Sequence, residues 1–280
     1  LNPFSVDELR EMALQQLNTQ DERLIEFIHE QTGGLPRFAQ QMITSLKSRQ
    51  SVERFHDMII RKIDNLSRPA RRILAVVCLS VTPVPEGVLE LACDLRSDEV
   101  YEGLMSLSAE GLIKEEIDEQ GRVDVVGAHP KLMDVARTCI TQARVPMIHE
   151  RIARALVQTG GSAEQIERHY TRAGTPQAAP RYAIQAAKEA RAEENHERAA
   201  ELFQLALKGP FDTQIQARIR IDMADSLARS GRYLEAAQTL ESLSELSASD
   251  AQRWSARRYQ LYLMSGELSD VLQQQLSDKA

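Results

Sequence analysis

The sequence predicts a mainly α protein in which one small β-hairpin interrupts a long succession of helices. Three observations carry that prediction. Apolar residues recur at three- and four-residue spacing over most of the chain, as they do along one face of a helix. Ala, Leu, Gln, Glu and Arg are abundant while aromatic residues make up 5% of the chain, a bias toward side chains that lose little rotamer freedom in a helix. Near the middle, two short apolar runs flank Asp118-Glu119-Gln120-Gly121-Arg122, a hairpin turn signal.

Residues 1–64 read as a first helical unit. Helices are expected over 4–18 and 20–31. Ser5 caps the first, and Glu8 three residues later completes a capping box. Asp21 opens the second, whose apolar face is Leu24, Ile25 and Ile28. Gly33-Gly34 stops it, and Pro36 starts a third helix through Phe38, Met42, Ile43 and Leu46, because a fixed φ suits a first helical turn. A polar connector from Arg49 to Glu53 precedes a fourth helix carrying Met58, Ile59 and Ile63, which Asn65 to Ser67 breaks.

Residues 65–145 read helix, helix, helix, hairpin, the plan of a winged helix. Arg68 to Ser80 forms the first helix, Pro83 and Pro85 end it, and Glu86 to Cys93 forms the second. Ser97 is expected to cap the third, which runs to Ala109 with Val100, Leu104 and Leu107 inward and Gly111 as its stop. Leu112 to Ile117 and Val123 to Val126 are the strands, and His129-Pro130 starts a helix reaching about Thr141. A DNA reader needs basic or amide side chains on the third helix, and this one carries Asp98, Glu99, Glu102 and Glu110 with no base. Protein packing is therefore the expected role. Arg68, Arg71 and Arg72 form a small basic cluster, read as a solvated face, with a phosphate or acidic-domain contact as the alternative.

Residues 146–280 read as helices throughout, over 146–159, 162–173, 177–193, 196–208, 213–229, 232–246, 249–265 and 267–277, the last six in pairs. Ala199 and Ala206 stand seven apart with Pro210 four beyond. This is tetratricopeptide spacing, in which small residues let two helices approach and proline ends the unit. Gly231-Arg232-Tyr233 with Ala236 repeats the pattern, and Gly266 recurs after it, in a degenerate array.

Composition and motifs narrow the function. The 280 residues carry a formal net charge of −7, which argues against a broad nucleic-acid surface. Cys78, Cys93 and Cys139 form no CxxC pair, and their odd number argues for a reducing compartment. The longest apolar run, Ile73 to Leu79 with Val81 beyond Ser80, is about half of what a membrane span requires. The chain opens on Leu1 without a signal segment and is expected to be an internal piece of a longer cytoplasmic protein. No GxxxxGK[ST] loop occurs, so a triphosphate has no evident anchor. His29-Glu30, His149-Glu150 and His196-Glu197 each begin an HExxH-like string, but Gly33, Ala153 and Ala200 stand where a second ligand belongs. These histidines are expected on partly exposed helix positions, with no metal site and no catalytic residue. No GxSxG elbow is present.

The order of these segments resembles the C-terminal portion of STAND-type signalling ATPases. In that family a GxP turn lies in the helical lid behind the nucleotide, and its proline abuts the base or ribose. The resemblance places Gly34 and Pro36 at those cofactor-binding positions. Ile148-His149-Glu150-Arg151-Ile152-Ala153-Arg154-Ala155-Leu156 resembles the family's LHxxIAxxL helix, and Glu167 to Gly174 its HxxxAG helix. Tyr182 to Leu207 resembles its first repeat. Asp225 to Ala237, with Arg253 to Arg258 and Ser265-Gly266, is similar to bacterial serine/threonine protein kinases carrying a fused AAA-type ATPase and repeats. Ala128-His129-Pro130-Lys131 differs from the Tyr-His-Asp-Arg string common in that branch.

The resemblance implies a regulatory and sensor arm, with 1–64 a lid, 65–145 a winged-helix relay and 146–280 the sensing repeats. ATP and Mg would belong to an ATPase core of the same polypeptide and not to this segment. The repeats would bind a protein partner or peptide, with no nucleic-acid or membrane partner. Two other readings stay open: a repeat scaffold indifferent to nucleotide, and the arm of an ATP-dependent transcription regulator.

Overall fold

The computed structural model describes residues 3–17, 19, 21–47, 55–117, 123–175, 177–241, 243 and 248–266. The expected connector at 49–53, the hairpin turn at 118–122 and the helix at 267–277 lie outside the described residues. The chain is mainly α with one small antiparallel sheet, and it divides into two compact units, Leu1–Ile148 and His149–Ala280. The segments read as 1–64 and 65–145 both lie in the first.

In the first unit, α1 (Val6–Leu17), α2 (Glu22–Thr32) and α3 (Pro36–Lys47) pack on one another. Their shared core is Leu9, Ala13, Ile25, Ile28, Phe38, Met42 and Ile43, positions that the helical period places on facing stripes. The capping box is present. The Ser5 amide donates to Glu8 Oε2 at 2.7 Å, and the Glu8 amide donates to Ser5 Oγ at 3.2 Å. Asp21 caps α2 by accepting from the Arg23 amide at 3.1 Å.

Helix α4 (Phe55–Asp64) packs against α8 (Pro130–Thr138), burying Met58, Ile59 and Ile63. Helix α5 (Arg68–Leu79), capped by Ser67, is central. It touches α6 (Glu86–Cys93), α7 (Ser97–Ala109) and α8. Gly103 allows the close α5–α7 approach, since a Cβ there would lie 2.5 Å from Ile73 Cδ1.

Strands β2 (Ile113–Ile117) and β3 (Val123–Gly127) form the expected hairpin, with Glu115 opposite Val125. A third strand, β1 (Val84–Pro85), was not expected. It pairs antiparallel with β3 through Val84 and Val125, giving the order β1-β3-β2 and burying Val84, Val125 and Ile113 on the helical side. Strand β2 is an outer strand whose Lys114, Glu115 and Glu116 are exposed, charges that discourage edge-to-edge pairing.

Two further elements differ from expectation. Arg96, not Ser97, is the N-cap of α7. Its amide donates to Glu99 Oε2 at 3.0 Å, while the Ser97 hydroxyl donates to Glu90, so the serine bridges two helices instead of capping one. Helix α8 stops at Thr138, short of Thr141. The β-branched run Thr138, Ile140, Thr141 disfavours further helix, and Thr141 turns to ψ 123 before a 3-10 turn at Gln142–Arg144.

Helix α9 (Val145–Thr159) runs across the division between the units. The second unit continues with α10 (Ala163–Arg172), α11 (Ala179–Ala192), α12 (His196–Ala206), α13 (Thr213–Arg229), α14 (Tyr233–Glu241) and α15 (Ala248–Ser265). From α10 onward each helix packs on the next in sequence, the arrangement of a helical repeat array. Ala183, Ala186, Ala187 and Ala190 of α11 face Ala199, Leu202, Phe203 and Ala206 of α12 in one buried cluster. A second cluster joins Ala217, Ala224 and Leu227 of α13 to Ala236, Ala237 and Leu240 of α14 and to Leu261 and Tyr262 of α15. Small side chains at these seams let the helix backbones approach closely.

Candidate functional site

The Gly33–Pro36 joint is built by opposing local demands. Helix α2 ends where Gly33 enters the left-handed region at φ 63, its amide donating to the His29 carbonyl at 2.8 Å. Gly34 stays left-handed at φ 72, after which Pro36 begins α3. Gly34 is buried, and its carbonyl accepts a 2.6 Å hydrogen bond from the Phe4 amide. A Cβ at Gly34 would run into the Phe4 carbonyl, and one at Gly33 would lie 2.9 Å from His129 Cε1. Pro36 is half-buried. The two site residues expected from the sequence thus stand within one tight turn.

Three cations fasten the surrounding helices to the sheet-bearing part of the first unit. Lys131, in the first turn of α8, donates to the Glu30 carbonyl of α2. Arg37, in the first turn of α3, donates to the Ala109 carbonyl at the end of α7. Lys62 of α4 donates to the Glu110 carbonyl at 3.3 Å, pairs with Glu110 Oε2 at 3.0 Å and lies 4.8 Å from the centre of the Phe38 ring. Carbonyls at helix C-termini carry negative partial charge, so each cation meets a matching dipole end. His129 caps α8 through Nδ1, which accepts from the Lys131 amide at 3.2 Å. Burial, then Lys131 and Lys114, hold its imidazole below the ordinary value. Chemically this arrangement is a clasp: it has donors and carbonyls but no nucleophile paired with a base.

The other residues singled out in the sequence disperse. Arg68 and Arg71 are exposed, while Arg72 is half-buried and donates to the Cys93 carbonyl at 3.2 Å. Asp98 and Glu102 of α7 face solvent. Glu90, Asp94 and Glu99 line an open 370 Å³ cavity at the α6–α7 turn together with Arg96. Among the described residues, no three His, Cys, Asp or Glu side chains gather as metal ligands. No helix among them is long and apolar enough to cross a membrane. Cys78 and Cys93 are buried, and burial pushes the Cys78 thiol up to about 12. Cys139 is exposed just past α8, because the helix ends before it.

His29 and His196 are half-buried, as the sequence suggested, but His149 is not. It is 3% exposed and meets His169, 4% exposed, through their Nδ1 atoms at 2.9 Å. Glu167, two residues earlier on α10, is also buried and lines a 240 Å³ cavity within the second unit. In the sequence both residues of α10 stand out only within a helix resemblance, which does not foretell their burial, although a signal existed. Ala163, Ile166 and Tyr170 define the buried stripe of that helix, and Glu167 and His169 fall on or beside it.

Arginines brace the array across alternate helices. Arg191 of α11 pairs with Asp222 at 2.8 Å and Asp225 at 3.1 Å, both on α13. Arg198 of α12 pairs with Glu164 of α10 at 2.9 Å.

No protein-family model matches the chain, and no curated protein matches it. Among solved structures it is similar to a crystal structure from Pyrococcus horikoshii, described as a Signal Transduction ATPase with Numerous Domains (STAND) protein with a tetratricopeptide repeat sensor. The TM-score is 0.44 at 13% identity, over 96% of this chain and 44% of that one. The chain therefore spans less than half the length of that protein.

Proposed function

We propose that this chain is the regulatory and sensor arm of a multidomain signalling ATPase, coupling nucleotide state to recognition of a protein segment. One observation carries the reading. The Gly33–Pro36 joint is clasped by Lys131, Arg37 and Lys62 to helix ends elsewhere in the first unit, so a push on the joint is transmitted through polar contacts and not through a loose hinge. In this reading Pro36 abuts the nucleotide of an ATPase core on the same polypeptide, which supplies ATP and Mg binding. Gly34 shapes the turn that presents Pro36. The segment 65–145 acts as a winged-helix relay, and the helices from α10 onward bind a protein partner or peptide along their stacked faces. The output is a serine/threonine kinase domain, and the setting is cytoplasmic.

The test uses the parent polypeptide. Arg37→Ala and Lys131→Ala each open one clasp contact and should change ATP turnover severalfold while leaving helicity intact. Unchanged turnover in both would overturn the relay. Calorimetry on this chain alone should show no ATP binding tighter than about 1 mM; micromolar affinity would assign it a nucleotide site of its own. If residues 179–280 bind a partner with the same affinity whatever nucleotide the core holds, the scaffold reading replaces this one.

A further inference from the structure

We propose that the second unit carries a binding site for a small amino acid, in the cavity bordered by α10, the start of α11 and the end of α12. The cavity measures about 240 Å³, the share of roughly eight waters of liquid. Its wall includes Pro180, Ala183 and Leu205, an apolar surface. Two charged side chains of opposite sign line it. Glu167 is 3% exposed, and its Oε1 accepts a 2.6 Å hydrogen bond from the Thr171 hydroxyl. Lys208, just beyond α12, is exposed and lines the same cavity.

A buried carboxylate held by one neutral hydroxyl keeps most of its acceptor capacity unmet, and such a group favours a cation. Neither Arg168 of α10 nor Arg198 of α12 supplies one. Arg168 and Arg198 both engage Glu164, at 3.2 and 2.9 Å. A simple amine would answer Glu167 but crowd the ammonium of Lys208. A simple carboxylate would answer Lys208 but face Glu167. A ligand with an ammonium at one end, a carboxylate at the other and a short apolar body satisfies both charges and the wall between them. Amino acids of α or ω type share that chemistry. The site does not rest on the nucleotide-coupled arm reading, because none of its residues belongs to the Gly33–Pro36 joint or to the clasp around it.

Calorimetry on this chain tests it with L-valine and L-leucine as α probes and 5-aminovalerate as the ω probe. Isobutylamine and isovalerate serve as single-charge controls. One of the amino acids should bind, and the controls should bind at least about tenfold more weakly. Glu167→Gln and Lys208→Met should each weaken binding about tenfold or more. Lys208 is exposed, so its variant keeps the fold and carries the test even if the buried substitution does not. No heat from any amino acid up to about 10 mM overturns the proposal. So does binding that Lys208→Met leaves unchanged, or an amine that binds as well as its amino acid.

Discussion

His149 of α9 and His169 of α10 face each other Nδ1 to Nδ1 at 2.9 Å, with ring centroids 5.1 Å apart and planes tilted by 49°. Two nitrogens at that distance share one proton. One ring donates and the other accepts, so the accepting imidazole must be neutral, and when both are neutral they take opposite tautomers. Burial favours the same state. It lowers the His149 pKa to about 4, helped by the Arg172 cation. His169 is lowered likewise, by burial first and then by His149, Arg172 and Arg168.

The pair should make the second unit acid-sensitive. In the unfolded chain each ring takes up a proton near its ordinary value of about 6.5, whereas the folded state resists it. The unfolded state then binds more protons, so the contribution is complete above pH 6.5 and is lost as pH falls toward 4. One ring alone accounts for about 3 kcal/mol at pH 4. Denaturant unfolding at pH 7.5 and at pH 5 measures it. The double variant His149→Gln, His169→Gln retains a side-chain hydrogen bond without titrating, and its stability should fall less between the two pH values. Equal losses would show that carboxylates elsewhere govern the acid response.

How much of this was legible follows from what each feature demands of the sequence. Helix α13 was readable to its last residue because Asp212 caps it and a long helical period fills it. The joint was readable because Gly33, Gly34 and Pro36 each answer a backbone requirement that few other residues meet. Strand β1 was not, since two residues, one of them a proline, carry no periodicity and gain their identity from pairing with Val125 and Asp124. The His149–His169 contact was hidden for a related reason. A histidine beside Glu150 on a helix looks solvated until another helix covers it, and the residue that covers it lies twenty positions away.

Gly34→Ala should destabilise the first unit by about 2–3 kcal/mol, combining left-handed strain of about 1 kcal/mol with the collision against the Phe4 carbonyl. Gly111→Ala supplies the contrast. Its φ is +71, but a Cβ there meets nothing closer than 3.8 Å, so it should cost about 1 kcal/mol, the strain alone. Hydrogen exchange of the α1–α3 amides separates the two, because the Gly34 substitution should also release the Phe4 amide. Equal effects would remove the close approach as the reason for glycine.

Phe203 is the largest buried side chain in a seam made mostly of alanine. It is 0% exposed and packs among Ala186, Ala187 and Ala190 of α11. Phe203→Ala should cost about 3–5 kcal/mol, since alanine neighbours are too short to collapse into the space left behind. Thermal unfolding followed by circular dichroism reads the loss. A cost below about 1 kcal/mol would mean that the seam is held by helix propensity and not by packing.

Arg191 joins α11 to α13 by reaching two carboxylates at once, Asp222 at 2.8 Å and Asp225 at 3.1 Å. Asp225 is itself shared with Arg229 at 3.2 Å, so the four side chains form a small network along the array. The pairs are partly exposed, and their worth is limited by screening to about 1 kcal/mol. A lysine at this position keeps the charge but lacks the planar fork that spans both aspartates. Arg191→Lys should therefore lose a measurable part of that stabilisation, and Arg191→Ala most of it. The gap between wild type and Arg191→Ala should narrow as salt is raised from about 0.05 to about 0.5 M, because exposed pairs are screened over that range. A gap that holds constant across the salt series would assign the arginine's contribution to the packing of its stem against the helix and not to its charge.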